Sequence, residues 1–327
     1  MRDHGGNLDA AIARHGGSDW IDLSTGINRR PYPVPPLPQE TWHGLPTAQA
    51  QNALVRAAAL AWGAAPETAG LALGGAQTAI QLVPYLLPQK GRACVLAPSY
   101  NEHGACLRAA GWQVHDTRLP ADMAGADLAV LVNPNNPDGR HWSAQDMLDL
   151  ARKVGVLIVD ESFADVTPEL SLLPQSGAAE NVMILRSFGK FYGLAGLRLG
   201  FAFGSSAMIG RLAELAGPWP VSGAAISIGC HALADKGWAD AMRGQLRLDA
   251  ERADTMITRA GWTCLGGTDL FRLYDTPDAQ AAQDHLASHH IWSRIFPYSR
   301  RWLRLGLPGP EHEWHRLERA LGNWHGI

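Results

Sequence analysis

A glycine-rich segment in the middle of the chain carries three side chains that could act together on a phosphorylated ligand: Ser187, Lys190 and Arg198. Ser187 lies three residues before Lys190 and Arg198 lies eight after it, and apolar runs at 182–185 and 199–203 flank them. A lysine held partly desolvated has a lowered pKa, which favours a Schiff base. A hydroxyl and a guanidinium on the same loop could bind one phosphate. An exposed loop between two strands would carry the same residues facing water.

A second possible anion site lies at the turn between an apolar run at 71–73 and a helical pattern at 78–82. The turn contains Gly75, Ala76 and Gln77. The first N–H groups of a helix lack intrahelical partners and lie at the positive end of the helix dipole, so this turn could bind a phosphate. Taken alone, glycines before a helix are more often a plain connection between a strand and a helix.

Two further polar positions follow apolar runs of strand length. Asn136 lies in the Pro- and Asn-rich loop after the run 128–132, and Asp160 follows the run 156–159. Open α/β sheets bind ligands at the carboxyl ends of their strands. A buried aspartate needs a cationic partner, which a ligand would supply. An aspartate that caps the start of a helix fits the same pattern.

Strand and helix patterns alternate from residue 71 to residue 203, which predicts an α/β domain with a mainly parallel sheet. Beyond it, helical patterns at 208–215 and from 224 into 254 lead to strand patterns at 261–264 and 270–274. The chain is therefore expected to continue into a second, smaller domain.

The motifs of this chain resemble those of fold-type I pyridoxal-phosphate (PLP) enzymes: S-x-x-K followed by G-x-R-x-G, G-[GS]-x-[EQ] and N-P-x-N-P-x-G. The resemblance extends over nearly the whole chain and points to the histidinol-phosphate aminotransferase group and, within it, the threonine-phosphate decarboxylases of cobalamin biosynthesis. It implies an α/β fold of the aspartate-aminotransferase type, with a mainly parallel central sheet and a smaller α/β C-terminal domain. The expected domains are an N-terminal arm and linker (1–39), a PLP-binding large domain (40–225) and a small C-terminal domain (226–327).

The resemblance implies a cofactor role for each of the positions above. Lys190 would form the Schiff base with PLP and carry protons, and Asp160 would hold the pyridine nitrogen protonated; these two are the expected catalytic residues. Asn136 would donate to the ring oxygen, and Tyr100, with His103 as the alternative, would stack on the ring. The PLP phosphate is expected at Gly75, Ala76, Gln77, Ser187 and Arg198.

Residues near both ends of the chain are expected to bind the substrate. The opening H-G-G-N and a later D-L-S-x-x-I-N are similar to the N-terminal arm of threonine-phosphate decarboxylases, which helps enclose the phosphorylated substrate. Arg304 matches the arginine that binds the substrate carboxylate in aminotransferases, and Arg294 matches a second arginine of members with phosphorylated substrates. Both lie in apolar segments, where an arginine needs an anionic partner or a path to the surface. The expected substrate residues are His4, Gly5, Asn7, Asn28, Arg294 and Arg304.

These residues imply a phosphorylated amino acid as substrate. Leu45 and Phe163 stand where related aminotransferases carry tyrosines that contact PLP. Together with the H-G-G-N segment, they favour PLP-dependent decarboxylation of L-threonine O-3-phosphate to (R)-1-amino-2-propanol O-2-phosphate. The alternatives are a histidinol-phosphate-type aminotransferase, a PLP-binding but non-catalytic partner subunit, and the effector module of a transcription regulator. The last is disfavoured because no helix-turn-helix pattern precedes residue 40.

Composition argues against several other classes. The 327 residues carry a formal net charge of −3 and no basic run, so nucleic acid is not an expected partner. The four cysteines form no C-x-x-C pair, so neither a metal site nor a disulfide framework is expected. No apolar run reaches membrane-spanning length, and the N-terminus lacks a signal-peptide core. We therefore expect a cytoplasmic enzyme, and the resemblance implies a homodimer.

Overall fold

The computed structural model describes residues 4–324. Within this range the chain forms two compact units. The larger comprises Tyr32–Asn136 and Arg140–Ala239. The smaller comprises the described residues before Tyr32, the tripeptide Pro137–Gly139 and the described residues from Asp240 onward. No helix between residues 4 and 324 is long and apolar enough to cross a membrane.

Strands and helices alternate along much of the described chain. The strands are β1 (Ile21–Asp22), β2 (Ala69–Leu73), β3 (Arg92–Leu96), β4 (Gln113–Thr117), β5 (Leu128–Val132), β6 (Val156–Asp160), β7 (Val182–Ser187), β8 (Gly200–Gly204), β9 (Thr263–Thr268), β10 (Phe271–Asp275), β11 (Ile291–Trp292), β12 (Arg294–Phe296) and β13 (Ser299–Gly306). The α-helices are α1 (Leu8–His15), α2 (Glu40–His43), α3 (Ala48–Trp62), α4 (Ala76–Leu82), α5 (Asn101–Ala109), α6 (Ala144–Ala151), α7 (Phe188–Phe191), α8 (Ser206–Ala216), α9 (Gly223–Ala234), α10 (Lys236–Arg259), α11 (Ala279–Ser288) and α12 (Glu311–Gly322).

The larger unit is built on a seven-stranded sheet with the strand order β2-β8-β7-β6-β5-β3-β4. Neighbouring strands from β4 to β7 are parallel, whereas β8 is antiparallel to both β7 and β2. The central strands β5 and β6 are buried along their whole length, which is typical of parallel sheets covered on both faces. The mainly parallel central sheet predicted from the sequence is confirmed.

Local sequence explains where two helices of this unit begin and end. Helix α3 begins after Thr47, whose side chain accepts a hydrogen bond from the Ala50 N–H, and it ends at Gly63, whose φ of 65° is left-handed. Ser143 and Asp146 form the capping box that begins α6. Both helices therefore begin at start signals that are visible in the sequence.

The range 224–254 is helical as predicted, but the structure divides it at Asp235 into α9 and α10. Asp235 has φ −85° and ψ 75°, and its Oδ1 accepts a hydrogen bond from the Trp238 N–H at 2.9 Å. An aspartate side chain that bonds to an N–H three residues ahead favours the start of a new helix over continuation of the previous one.

The boundaries of the larger unit differ from those expected for the large domain. The unit begins at Tyr32 rather than at residue 40, and it extends to Ala239 rather than to residue 225. The C-terminal extension consists mainly of α9, which packs against α3 of the same unit. Helix packing therefore determines where this unit ends.

The smaller unit contains a four-stranded antiparallel sheet with the order β12-β13-β10-β9. It also contains a short parallel pair, β1 with β11. This pair joins a segment near the N-terminus to one near the C-terminus, so the unit is made from both parts of the chain. Its apolar core includes Trp262, Tyr274 and Leu303, all buried.

Candidate active site

A cavity of about 150 Å³ lies in the larger unit, at the carboxyl ends of β5, β6 and β7. Ligands of open α/β sheets bind at this edge. The cavity wall contains every residue that the sequence predicts to bind PLP: Gly75, Ala76, Gln77, Tyr100, Asn136, Asp160, Ser187, Lys190 and Arg198. Residues from widely separated segments thus meet at one place.

Asp160, at the end of β6, is the buried carboxylate of this cavity, with 2% of its surface exposed. Its Oδ2 lies 2.8 Å from His103 Nε2, and its Oδ1 accepts hydrogen bonds from the Ser162 N–H at 3.0 Å and the Ser162 hydroxyl at 2.5 Å. Burial raises the pKa of Asp160, but the hydrogen bonds from His103 and Ser162 outweigh this effect, and the pKa lies below its usual value. The carboxylate is therefore charged at neutral pH and suits a cationic ring nitrogen.

Tyr100 and His103, the alternatives for the ring stack, have different surroundings. Tyr100 lines the cavity and donates its hydroxyl to Gln77 Oε1 at 3.1 Å. Burial raises the pKa of this phenol to about 12, so it is neutral at physiological pH. His103, on α5, is 2% exposed and pairs with Asp160. The geometry favours Tyr100 for the stack and makes His103 the residue that orients the Asp160 carboxylate, a role that the sequence did not predict.

Another part of the cavity wall combines backbone N–H groups with a guanidinium. Helix α4 begins at Ala76, directly after Gly75, whose φ is 93°. A Cβ atom on Gly75 would lie 2.9 Å from Arg198 Nη2, so the guanidinium lies against the start of this helix. Ser187 lines the same cavity. A hydroxyl, a guanidinium and the N–H groups of Ala76 and Gln77 are the donors that a phosphate requires.

Lys190 is held in the cavity wall by the short helix α7. Its neighbours Phe188 and Phe191 are fully buried, which anchors this turn. Lys190 Nζ lies 5.7 Å from the centroid of the Phe163 ring. An aromatic ring attracts an ammonium through its π face, but phenylalanine has no hydroxyl to donate. Phe163 therefore supplies an apolar wall where related aminotransferases carry a tyrosine.

Phe163→Tyr is expected to tighten PLP binding by roughly 0.5–1.5 kcal/mol, the contribution of one hydrogen bond. The added hydroxyl would lie in the wall that also contains Asn136, the expected donor to the ring oxygen. The measurement is the PLP dissociation constant of the apo-protein, with Phe163→Leu as the control that removes the ring without adding a donor. Unchanged affinity in Phe163→Tyr would mean that another group already bonds to the ring oxygen.

The asparagines of the N-P-x-N-P loop have separate tasks. Asn133 is fully buried, and its Oδ1 accepts a hydrogen bond from the Trp142 N–H at 3.0 Å. Asn135 is also fully buried, and its Oδ1 accepts from the Ser99 hydroxyl at 2.8 Å. Asn136 lines the cavity. The first two asparagines hold the loop in place, and Asn136 lies in the cavity wall, where its contact with the ring oxygen of PLP stays a prediction.

Behind the same strand ends lies a buried ionic cluster that the sequence did not predict. Arg186 in β7 is 1% exposed, and its guanidinium pairs with Glu161 Oε2 and Asp165 Oδ1, each at 3.0 Å. It also lies 4.5 Å from the centroid of the Trp62 ring. Because side chains alternate along a strand, Arg186 and Ser187 face opposite sides of the sheet. The cluster thus links the ends of β6 and β7 on the side opposite the cavity.

In the smaller unit, Arg294 and Arg304 are direct partners on the antiparallel strands β12 and β13. Arg304 is 6% exposed, and its Nη2 donates to the Ser24 carbonyl at 2.6 Å. Burial, together with the charge of Arg294, lowers the pKa of Arg304 to about 10. Like charges directly opposite on neighbouring strands are destabilising. A bound anion would relieve this repulsion, so the pair suits a carboxylate or a phosphate.

The N-terminal residues approach the same carbonyl in the smaller unit. A Cβ atom on Gly5 would overlap the Ser24 carbonyl oxygen, so the backbone of residue 5 lies directly against it. The Gly6 N–H donates to Ser24 Oγ at 2.7 Å. Two of the predicted substrate residues, Gly5 and Arg304, therefore meet at Ser24.

The other predicted substrate residues near the N-terminus differ in their surroundings. His4 is exposed. Asn7 is the N-cap of α1, and its Oδ1 accepts a hydrogen bond from the Ala10 N–H at 3.1 Å. Asn28 is buried, and its Oδ1 accepts from the Arg30 N–H at 2.8 Å. Both asparagines stabilise the local backbone, and their contacts with a substrate stay predictions.

The side chains that line the cavity in the larger unit fit PLP. The buried Asp160 carboxylate suits the positive charge of a protonated pyridine nitrogen. The Arg198 guanidinium and the start of α4 suit the phosphate, and the flat ring of Tyr100 suits the pyridine plane. The amine of Lys190 lines the same cavity and can bond to an aldehyde carbon.

The chain is similar to named proteins along nearly its whole length. It is 38% identical over 326 residues to a threonine-phosphate decarboxylase from Sinorhizobium sp, covering 97% of each chain. It is 39% identical over 330 residues to a threonine-phosphate decarboxylase from Pseudomonas aeruginosa, covering 98% of this chain and 97% of the relative. The solved structure of histidinol-phosphate aminotransferase from Sinorhizobium meliloti in complex with pyridoxal-5'-phosphate matches with a TM-score of 0.80 at 22% identity, covering 96% of this chain and 92% of that one.

The family comparison agrees with these likenesses. The model for aminotransferase class I and II matches residues 19–321. Together with the structural match, it confirms the predicted aminotransferase-type α/β fold. Because proteins of this family depend on PLP, the cofactor prediction is confirmed as well. The chain belongs to the aminotransferase class I and II family.

Proposed function

We propose that the protein is a PLP-dependent decarboxylase that converts L-threonine O-3-phosphate to (R)-1-amino-2-propanol O-2-phosphate in cobalamin biosynthesis. The observation that carries the proposal is the likeness to two threonine-phosphate decarboxylases over almost the full chain. The cavity in the larger unit supports it, because an amine, a carboxylate and a set of phosphate donors line one wall. Phe163, in place of a tyrosine, disfavours the histidinol-phosphate aminotransferase alternative.

PLP, when bound, withdraws electrons from the α-carbon of an amino substrate and so allows a bond at that carbon to break. Asp160 keeps the ring nitrogen protonated, because its carboxylate is charged and is held by His103 and Ser162. Lys190 is the proposed proton carrier. In its protonated form Lys190 Nζ would deliver a proton to the α-carbon after carbon dioxide leaves, so a C–C bond would be replaced by a C–H bond.

The positions of the substrate's anionic groups decide which bond breaks. Residues that fix the substrate carboxylate relative to bound PLP would therefore select loss of carbon dioxide over loss of the α-hydrogen. We assign the carboxylate to Arg304 and Arg294, which face each other and favour an anion. The proposed phosphate contacts are His4, Gly5, Asn7 and Asn28.

Arg304→Ala is expected to lower kcat/KM for threonine phosphate by about tenfold to a hundredfold, the effect of losing one charge-assisted contact of about 1.5–3 kcal/mol. Arg301→Ala is the matched control, because Arg301 lies on the same strand but is exposed and pairs with Asp275. The measurement is release of carbon dioxide. Equal losses in the two variants would contradict the assignment of Arg304 to the carboxylate.

The reaction itself is tested by product analysis. Protein loaded with PLP is supplied with threonine phosphate, and carbon dioxide and aminopropanol phosphate are measured. A parallel assay supplies histidinol phosphate and 2-oxoglutarate and measures glutamate. We expect the amine product in the first assay; glutamate in the second assay without amine in the first would establish the aminotransferase alternative instead.

We further propose that the protein is a homodimer. Trp42, Leu45 and Trp219 of the larger unit are 65%, 68% and 52% exposed. Trp42 and Leu45 lie three residues apart, and exposed large apolar side chains that lie close together favour a protein interface, whereas single scattered ones do not. Trp42→Glu is expected to shift the mass measured by light scattering from that of two chains to that of one. Leu119→Glu, at a leucine 59% exposed just after β4, is the control expected to remain a dimer.

We also propose a cytoplasmic location. All four cysteines, Cys94, Cys106, Cys230 and Cys264, are free thiols in the structure. Free thiols are typical of a reducing compartment.

A further inference from the structure

Aromatic side chains surround the turn that carries Lys190. Phe188, Phe191 and Tyr192 are buried, with 0%, 0% and 3% of their surfaces exposed. They occupy positions i, i+3 and i+4 of one helical turn, a spacing that places side chains on a single face. Lys190, two residues after Phe188, points away from that face and lines the cavity. The packing of the aromatic face therefore determines where the amine points.

Tyr192 is stacked between two other rings. Its ring centroid lies 4.4 Å from that of Phe188, with the planes at 10°, and 5.5 Å from that of Trp238, with the planes at 13°. Phe191 meets Trp238 edge-on at 5.5 Å. Trp238 lies in the first turn of α10, far along the chain from the lysine turn. A residue distant in sequence thus holds this turn in place.

Tyr32 packs against the same aromatic cluster, and it precedes Lys190 in the sequence whereas Trp238 follows it. Its ring meets that of Trp238 edge-on at 5.1 Å, and its N–H donates to the Tyr192 carbonyl at 2.9 Å. Asp235 accepts hydrogen bonds from both Tyr32 and Trp238. Its Oδ2 accepts from the Tyr32 hydroxyl at 3.4 Å, and its Oδ1 accepts from the Trp238 N–H at 2.9 Å. Tyr32 is the first residue of the larger unit, and Trp238 lies one residue before its last.

We propose that Trp238 and Tyr32 are positioning residues for Lys190. They hold Tyr192 and, through it, the turn α7, so that the amine stays at one place in the cavity. Neither is among the residues that line the cavity, so they act through Tyr192 rather than on a ligand. The inference rests on the proposed function, in which Lys190 bonds covalently to PLP and carries the proton.

The test measures how fast apo-protein bonds covalently to added PLP, followed by its visible absorbance. Borohydride reduction and mass spectrometry then identify the modified lysine. Trp238→Ala is expected to bond about threefold to tenfold more slowly, in line with the loss of one aromatic stacking contact. We expect kcat to fall by a similar factor, with KM for threonine phosphate unchanged. Trp238→Phe, which keeps a ring against Tyr192, is expected to restore the wild-type rate.

Trp20→Ala is the matched control. Trp20 is a half-buried tryptophan of the smaller unit, and its ring meets that of Trp292 edge-on at 6.3 Å. Its loss removes a comparable aromatic contact and is expected to leave the rate unchanged. If Trp238→Ala does not fold, Trp238→Leu, which keeps an apolar side chain without the stacked ring, is expected to show the same slowing.

The outcomes separate this inference from the proposed function. A wild-type rate in the folded Trp238→Ala or Trp238→Leu variant overturns the inference alone, and so does equal slowing in Trp20→Ala. Wild-type protein that carries no PLP on Lys190 overturns the proposed function and the inference with it. Slow bonding in the Trp238 variants, a normal rate in Trp238→Phe and a label on Lys190 support both.

Discussion

Lys190→Ala is expected to eliminate the covalent attachment of PLP and to lower kcat for threonine phosphate by about a hundredfold to ten-thousandfold, the range of a positioned general acid or base. Lys190 is the amine that lines the cavity. PLP itself is expected still to bind without the covalent bond, because Asp160 and Arg198 remain in place. The measurements are visible absorbance, the PLP content of the dialysed protein and the rate of carbon dioxide release.

The small number of lysines makes this assignment easy to check. The chain contains four, at positions 90, 153, 190 and 236. Lys90 already donates to the Pro84 carbonyl at 2.5 Å, which makes Lys90→Ala a suitable control that is expected to retain PLP. After borohydride reduction, the label is expected on Lys190. A label on any of the other three lysines would show that the cavity described above is not where PLP bonds.

Nine residues of the cavity wall could be predicted because most of them belong to a short motif beside a recognisable strand or helix. Asn136 lies in the loop after the apolar run that becomes β5, Asp160 follows the run 156–159 in β6, and Ser187 ends β7. Parallel strands bring their carboxyl ends to one edge of the sheet, so order along the chain already implies proximity in space. The sheet and the cavity wall therefore follow from local patterns and one general rule of α/β folds.

Partners that are far apart in sequence could not be predicted in the same way. The pairing of His103 with Asp160 depends on how α5 packs against the end of β6, which no local pattern encodes. Its only signal is that His103 lies three residues after Tyr100, one helical turn behind the cavity wall. The stacking of Trp238 on Tyr192 could not be predicted either, because it depends on the helix break at Asp235, after which α10 begins. The sequence pattern from 224 into 254 continues through that break.

The contacts of the candidate residues in the smaller unit were harder to predict, because no set of parallel strands brings these residues to one edge of a sheet. Arg294 and Arg304 become neighbours only through the register of β12 on β13. Ser24, where Gly5 and Arg304 meet, contributes a backbone carbonyl, and a carbonyl leaves no signature in residue type. Asn7 was predicted to bind the substrate because it matches a substrate-binding motif. In the structure it also caps a helix, a role that the motif did not indicate.

Asp160→Asn is expected to lower kcat by about two hundredfold to several thousandfold, because removing the charge of one member of a buried ion pair costs about 3–5 kcal/mol. In the proposed mechanism the cationic partner is the ring nitrogen of bound PLP, which would need a charged carboxylate to stay protonated. The amide in this variant would keep the size of the side chain and one hydrogen-bond acceptor, so folding is expected to persist. The measurements are kcat, thermal unfolding and the absorbance of the bound cofactor.

His103→Leu removes the hydrogen bond from His103 to Asp160 and leaves the carboxylate itself unchanged. The hydrogen bond from His103 is the largest influence that lowers the pKa of the Asp160 carboxyl, opposing burial, which raises it. Without it, that pKa rises. A reaction that needs the ionised carboxylate is lost as pH falls through the pKa, so the acidic limb of the kcat profile is expected to shift to higher pH. Ser162→Ala is expected to shift it in the same direction, because Ser162 also lowers this pKa through its hydroxyl. An acidic limb that stays in place in both variants would mean that Asp160 is not the carboxylate on which the reaction depends.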